Sequence, residues 1–141
     1  TTPASAVASA ELWDPVSRLW TVMPPMVCAR FDCAVCVLSG GRVAVLGGCG
    51  SDGKPRKDAE LYDPVKQRWS LLPPMTHTHA NICAAPISGG AIVLGMAAKR
   101  SELYDETSNR WYELPHELLQ CRQGARLASV PTSALLGVTR R

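Results

Sequence analysis

The chain has 141 residues, 46% hydrophobic and 19% charged, with a formal net charge of +3. That length suits one domain, and that balance excludes disorder, collagen and coiled coil. The charge is too mild to call for nucleic acid, which needs a concentrated basic stripe, and no apolar run approaches the roughly 18 to 20 residues of a membrane-spanning helix, so neither partner is expected.

The chain opens on Thr1-Thr2-Pro3 with no initiator Met, basic flank or apolar signal core, and is expected to be cut from something longer. Six cysteines fall well below the density of secreted disulfide scaffolds. Most sit in apolar company, as buried free thiols do, which points to a reducing, cytoplasmic setting.

One pattern is written three times. Glu11-Leu12-Trp13-Asp14 is followed by Trp20, Glu60-Leu61-Tyr62-Asp63 by Trp69, and Glu102-Leu103-Tyr104-Asp105 by Trp111. Each Trp leads to a proline, at Pro24, Pro73 and Pro115. Between these copies run apolar stretches split by glycine, Ser39-Gly40-Gly41 through Gly47-Gly48 and Ser88-Gly89-Gly90 through Gly95. A repeat in the forties fits a propeller or a helical array. Short runs rich in Val, Ile, Cys and aromatics, broken every few residues by Gly, Pro or Asp, decide for strands.

Taken along the chain, residues 8–26 predict a half blade holding only the third and fourth strands, C and D. Residues 27–75 predict a full four-stranded antiparallel meander: A at Cys33–Leu38, B at Arg42–Gly47, C at Ala59–Asp63 and D at Arg68–Leu72. Gly40-Gly41 supplies positive φ for the A to B hairpin, and Asp63-Pro64 sets the C to D turn. Residues 76–115 predict a second full blade. Residues 116–141 predict a final half blade of A and B, with Leu127–Val130 and Leu135–Val138 as its strands. The whole, 1–141, is then an all-β propeller segment of about three blade-equivalents, short of the four to eight of typical propellers, with the rest of the ring missing. Strands A and B are apolar at nearly every position and are expected to be covered on both faces.

The double glycine, the Tyr-Asp-Pro, the Trp six residues after the Asp and the following prolines closely resemble the kelch repeat over residues 8–138. Two positions depart from it: Met96 follows Gly95 where the family has a second glycine, and Glu106 replaces the turn proline, so the second blade is expected to be looser at these corners. Glu11, Trp13, Trp20, Gly47, Gly48, Glu60, Tyr62, Trp69, Gly95, Glu102, Tyr104 and Trp111 are read as structural repeat positions. Catalysis needs one asymmetric constellation, whereas a residue repeated in every blade is architecture. The glutamates are expected to accept backbone or Arg hydrogen bonds between blades.

In such a meander the B to C and D to A loops share one end. The first B to C loop, Cys49–Lys57, is the longer of the two, and that end collects Arg30, Lys54, Arg56, Lys57, His79, Lys99, Arg100 and Arg122. The likeness to kelch-like adaptor proteins implies that this basic rim binds an acidic segment of another protein, Arg being suited to a bidentate grip on carboxylates. It also implies a non-enzymatic interaction module, the substrate-recognition part of a ubiquitin ligase adaptor. The alternatives that the family offers are a copper-radical oxidase, a sugar epimerase or an actin-binding protein.

Two motifs are set aside. Cys33-Ala34-Val35-Cys36 has metal-site spacing, but residues three apart on a strand point to opposite faces. His77-Thr78-His79 and His116 have no matching carboxylate or cysteine in reach by sequence and are read as loop residues. No metal, cofactor or catalytic residue is therefore expected.

Overall fold

The computed structural model describes residues 5–95 and 100–115. It is all-β, with ten strands in three antiparallel sheets and no α-helix among the described residues. The first sheet pairs β1 (Glu11–Asp14) with β2 (Leu19–Val22). The second runs in order through β3 (Ala34–Val37), β4 (Val43–Leu46), β5 (Ala59–Asp63) and β6 (Arg68–Leu72). The third repeats that order with β7 (Cys83–Ile87), β8 (Gly90–Leu94), β9 (Ser101–Asp105) and β10 (Arg110–Glu113). Each neighbour in sequence is a neighbour in space, the meander of a propeller blade. The half blade assigned to residues 116–141 lies outside the described residues, with Lys99, Arg122 and His116.

Turn chemistry fixes the corners. Between β3 and β4, Gly40 and Gly41 have φ of 69° and 72°, left-handed values that a hairpin of this twist needs. Between β5 and β6, Asp63 accepts the Val65 and Lys66 amides at 2.9 and 3.1 Å. Asp14 and Asp105 do the same for Val16 and Thr107 in the other two copies.

Register sorts each sheet into two faces. In the second sheet Ala34, Cys36, Ala44, Leu46, Ala59 and Leu61 share one face, and all are buried against Ala91, Val93 and Tyr104 of the third sheet. This inter-sheet layer is the core, built from small side chains on the inner strands. The larger rings pair across the outer strands, Tyr62 with Trp69 at 5.2 Å between centroids and Tyr104 with Trp111 at 5.1 Å. Offset, tilted rings at such distances add to the area they bury.

The opposite face of the second sheet carries Val35, Val37, Val43, Val45, Glu60, Tyr62 and Trp69. It does not meet the expectation of burial throughout: β3 alternates, with Val35 58% and Val37 54% exposed. The cause is the neighbour on that side. Glu60 and Trp69 contact the chain that leaves β2, and the described residues place two strands there, too few to reach across β3.

The corner at Glu106 is also firmer than expected. Its carboxylate accepts the Ser39 hydroxyl at 2.9 Å and pairs with Arg42, tying the third sheet to the second at the A to B hairpin. An acid replaces a turn proline here, and a cross-blade ion pair takes over the corner.

Candidate functional site

The end of the molecule formed by the B to C and D to A connections is the candidate site. These connections are stitched to one another: Phe31 bridges Cys49, Cys49 bridges Pro55, and Arg56 bridges His79. The Cys49–Lys57 loop is thereby anchored, with the Gly53 amide donating to Gly50 O at 2.9 Å and the His79 amide to Arg56 O at 2.9 Å. Gly48, at φ 89°, makes the crossing possible, because a Cβ there would stand 2.4 Å from the Phe31 carbonyl.

Two of the basic residues expected on the rim are not on the surface. Arg30 is 2% exposed; its guanidinium donates to Gly47 O at 2.7 Å and pairs with Asp58 and Glu60, each at 2.6 Å. His79 is 3% exposed and its Nε2 lies 2.9 Å from Glu102 Oε1. Both are enclosed by their own blade's glutamate and closed to a partner's carboxylates. The buried guanidinium needs a partner of opposite sign, which Glu60 supplies, and Glu102 gives the buried His79 ring a hydrogen-bond partner.

Glu60 and Glu102 also complete the D to A connections. Glu60 accepts the Val27 and Cys28 amides at 2.6 and 2.9 Å, and Glu102 those of Thr76 and His77 at 2.7 and 3.0 Å. Burial would push the Glu102 carboxyl up, but the hydrogen bonds from His79, Thr76 and His77 outweigh it and hold it at about 2. Backbone hydrogen bonds were expected of both glutamates and an Arg donor reaches Glu60, but the bonds lie within each blade rather than between blades, and the side-chain partner of Glu102 is the His79 ring.

The remaining cations divide. Arg56 Nε pairs with Asp58 Oδ1 at 2.6 Å, and burial of Asp58 is overcome by Arg56 and Arg30, which keep its carboxyl below the usual range. Arg100 is exposed and bound to Glu113 at 2.7 Å, beside His77 at 3.2 Å. Lys54 is exposed and 4.0 Å from Asp52, and Lys57 is exposed with no ion pair among the described residues. The site is therefore mixed in charge; Asp58 is one of the few acids the sequence places at this end, and Glu113 is a member that the sequence reading missed. Asp58 was legible only as an acid within a basic loop.

Cys28, Asp58 and Glu60 bring three ligand-type atoms within 4.8 Å of one another. Both carboxylates already hold the Arg30 guanidinium, which stands where a metal cation would. Cys36, the second member of the C-x-x-C pair, is buried among apolar residues, and burial pushes its thiol up to about 11, far from the thiolate that metal binding requires.

Ordered four-stranded meanders packed face to face, each closed by its own glutamate and indole, define a partial β-propeller. Residues 30–76 match the Kelch motif, which supports a kelch-repeat assignment for that blade. The kelch motif is that of a protein-interaction propeller module, in general without catalysis. No curated protein matches the chain. No helix among the described residues is long and apolar enough to cross a membrane.

Proposed function

We propose that this chain is a recognition module whose Cys49–Lys57 loop receives an acidic segment of another protein. The observation that carries the reading is the state of Lys54 and Lys57: both ammonium groups face solvent from a loop whose backbone is pinned on both flanks. A pinned loop loses little further freedom when a partner binds, so its exposed charges are preorganised. Arg56 and Arg100 stand beside them, and exchange of their internal carboxylate partners for a ligand's would extend the contact. Lys99 and Arg122 join the rim by sequence position alone.

The kelch repeat supports a protein as the partner. The narrower role of substrate recognition for a cytoplasmic ubiquitin ligase follows from the resemblance to kelch-like adaptors and is part of the same proposal. The test is titration of the chain with a panel of acidic peptides, compared with the Lys54→Glu, Lys57→Glu double variant. Loss of about tenfold in affinity, with a steep fall of wild-type binding as salt rises, is the expected result. Equal affinity of the two proteins for every peptide overturns the rim.

A further inference from the structure

One ring nitrogen on the rim faces two groups that it cannot serve at once. His77 Nε2 lies 3.2 Å from Arg100 Nη1 and 3.4 Å from Glu113 Oε2. The Arg100 nitrogen is a donor and the Glu113 oxygen an acceptor, so the bond that forms depends on the proton of the ring. With Nε2 bare, it accepts from Arg100. With Nε2 protonated, it donates to Glu113 and has no lone pair left for the guanidinium.

The charge of the cluster changes with the bond. Arg100 Nη1 also donates to Glu113 Oε1 at 2.7 Å, so around a neutral ring the guanidinium and the carboxylate cancel. Around a charged ring one carboxylate answers two cations, and a positive charge is left unmatched. The cluster is also fixed in place. The His77 amide donates to Glu102 Oε1 at 3.0 Å, and the Met75 amide, two residues earlier, donates to Lys57 O at 2.8 Å, which sets the cluster beside the Cys49–Lys57 loop. The His77 side chain is 31% exposed, and those of Arg100 and Glu113 43% each, so all three are open to a ligand. Arg100 Nε and Nη2 have no partner among the described residues, which leaves them free for a two-point grip on a further carboxylate. The other titratable groups around His77 among the described residues are Glu102, which holds its amide, and the His79 ring, edge-on at 6.4 Å between centroids and itself bonded to Glu102.

We infer that His77, Arg100 and Glu113 form a carboxylate-binding site that opens when the His77 ring takes up a proton, a reading that rests on the rim as the site of an acidic segment. Protonated His77 occupies Glu113, and the guanidinium of Arg100 passes to the ligand. Histidine is the side chain whose charge ordinarily changes between about pH 5 and 8, so the site answers to mild acid. Binding and protonation favour each other, and arrival of the carboxylate draws a proton onto the ring.

Calorimetric titration of the chain with a hexa-aspartate peptide, whose carboxylates stay ionised at about pH 5.5, tests this. Wild type is expected to bind about fivefold more tightly at that pH than at about pH 7.5, the upper end for a partly exposed ion pair. His77→Gln keeps a hydrogen-bonding group that cannot be charged, leaves the backbone bond to Glu102 in place, and loses the gain. Titrations near pH 6.5 in buffers of different ionisation enthalpy are expected to show a proton taken up on binding by wild type and not by His77→Gln. The same pH dependence in the two proteins, or no proton uptake by wild type, overturns the inference. Failure of the rim looks different: the Lys54→Glu, Lys57→Glu double variant then matches wild type at neutral pH while the gain that depends on His77 persists. A chain that binds the peptide at neither pH overturns both.

Discussion

Arg30 Nη2 stands 2.6 Å from Glu60 Oε1 with both side chains fully closed to solvent, and one blade later His79 stands 2.9 Å from Glu102 in the same relation. The pocket is matched to its occupant by glycine. Gly47 offers its carbonyl to Arg30, and at Gly95 a Cβ would lie 2.5 Å from the His79 Nδ1. A repeated nitrogen donor, Arg30 or the His79 ring, and a repeated carboxylate, distant in sequence, are one internal fastening that joins the D to A connection to strand C.

Removing one partner leaves the other buried and charged, so Arg30→Ala is expected to cost about 3 to 5 kcal/mol. Glu60→Gln, which keeps the volume and one acceptor, costs less, and the double variant less than the sum because the two act on one interaction. Urea unfolding midpoints check this. A midpoint unchanged in Arg30→Ala would show that the guanidinium is not part of the fold and would return it to the candidate rim.

Stability should also fall in acid through Glu102. Its carboxyl is held at about 2 against an ordinary 4.5, so the folded state binds its proton less readily than the unfolded chain. The contribution is complete above about pH 4.5 and is lost as pH falls toward 2, amounting to roughly 2 to 3 kcal/mol. Thermal melts from pH 7 to 2.5 should show this loss in the wild type and a flatter profile in Glu102→Gln. Parallel profiles would mean that the carboxylate is not anchored as described.

The strands were legible because burial and turn chemistry are local. Ala59–Asp63 and Arg68–Leu72 are strands at the limits expected from the Glu-Leu-Tyr-Asp repeat and its Trp, and Gly40-Gly41 turns the chain as a glycine pair should. The fate of the basic residues was not legible in the same way. Arg30 follows two prolines and reads as a solvated loop cation until Glu60, 30 residues on, is brought to it by strand pairing. A signal did exist: Arg30 and His79 each fall six residues after a proline, and a position that repeats with the fold serves the fold. Val35 and Val37 erred in the other direction, since an apolar strand declares what it would bury, not whether a neighbour stands there.

Glycine positions separate strain from collision. Gly40 and Gly48 both have positive φ, but a Cβ at Gly40 meets nothing within 4 Å, while at Gly48 it meets the Phe31 carbonyl at 2.4 Å. Gly40→Ala is expected to cost about 1 kcal/mol for the left-handed backbone alone. Gly48→Ala adds a clash with backbone that cannot move without parting the Phe31–Cys49 bridge, and should cost several times more. Comparing the two Tm values checks this, and equal shifts would contradict the close crossing of the loops.

Trp69 joins sheets by both its ring and its N–H. The ring packs on Tyr62 and the indole donates to Pro24 O at 2.8 Å, across the gap to the strand pair before it. Trp69→Phe keeps an aromatic ring but leaves the carbonyl without its donor, which should cost about 1 kcal/mol beyond the change in packing. Trp69→Ala also gives up the ring pair and the area it covers, for a total of about 3 kcal/mol, the low end for a Trp because this one is only partly buried. Leu71 lies two residues on and is 59% exposed, so Leu71→Ala should stay within about 0.5 kcal/mol of wild type. Urea titrations of the three variants rank them. If Trp69→Phe and Trp69→Ala prove alike, the N–H carries the joint and the ring does not; if neither differs from Leu71→Ala, the sheets are not joined there.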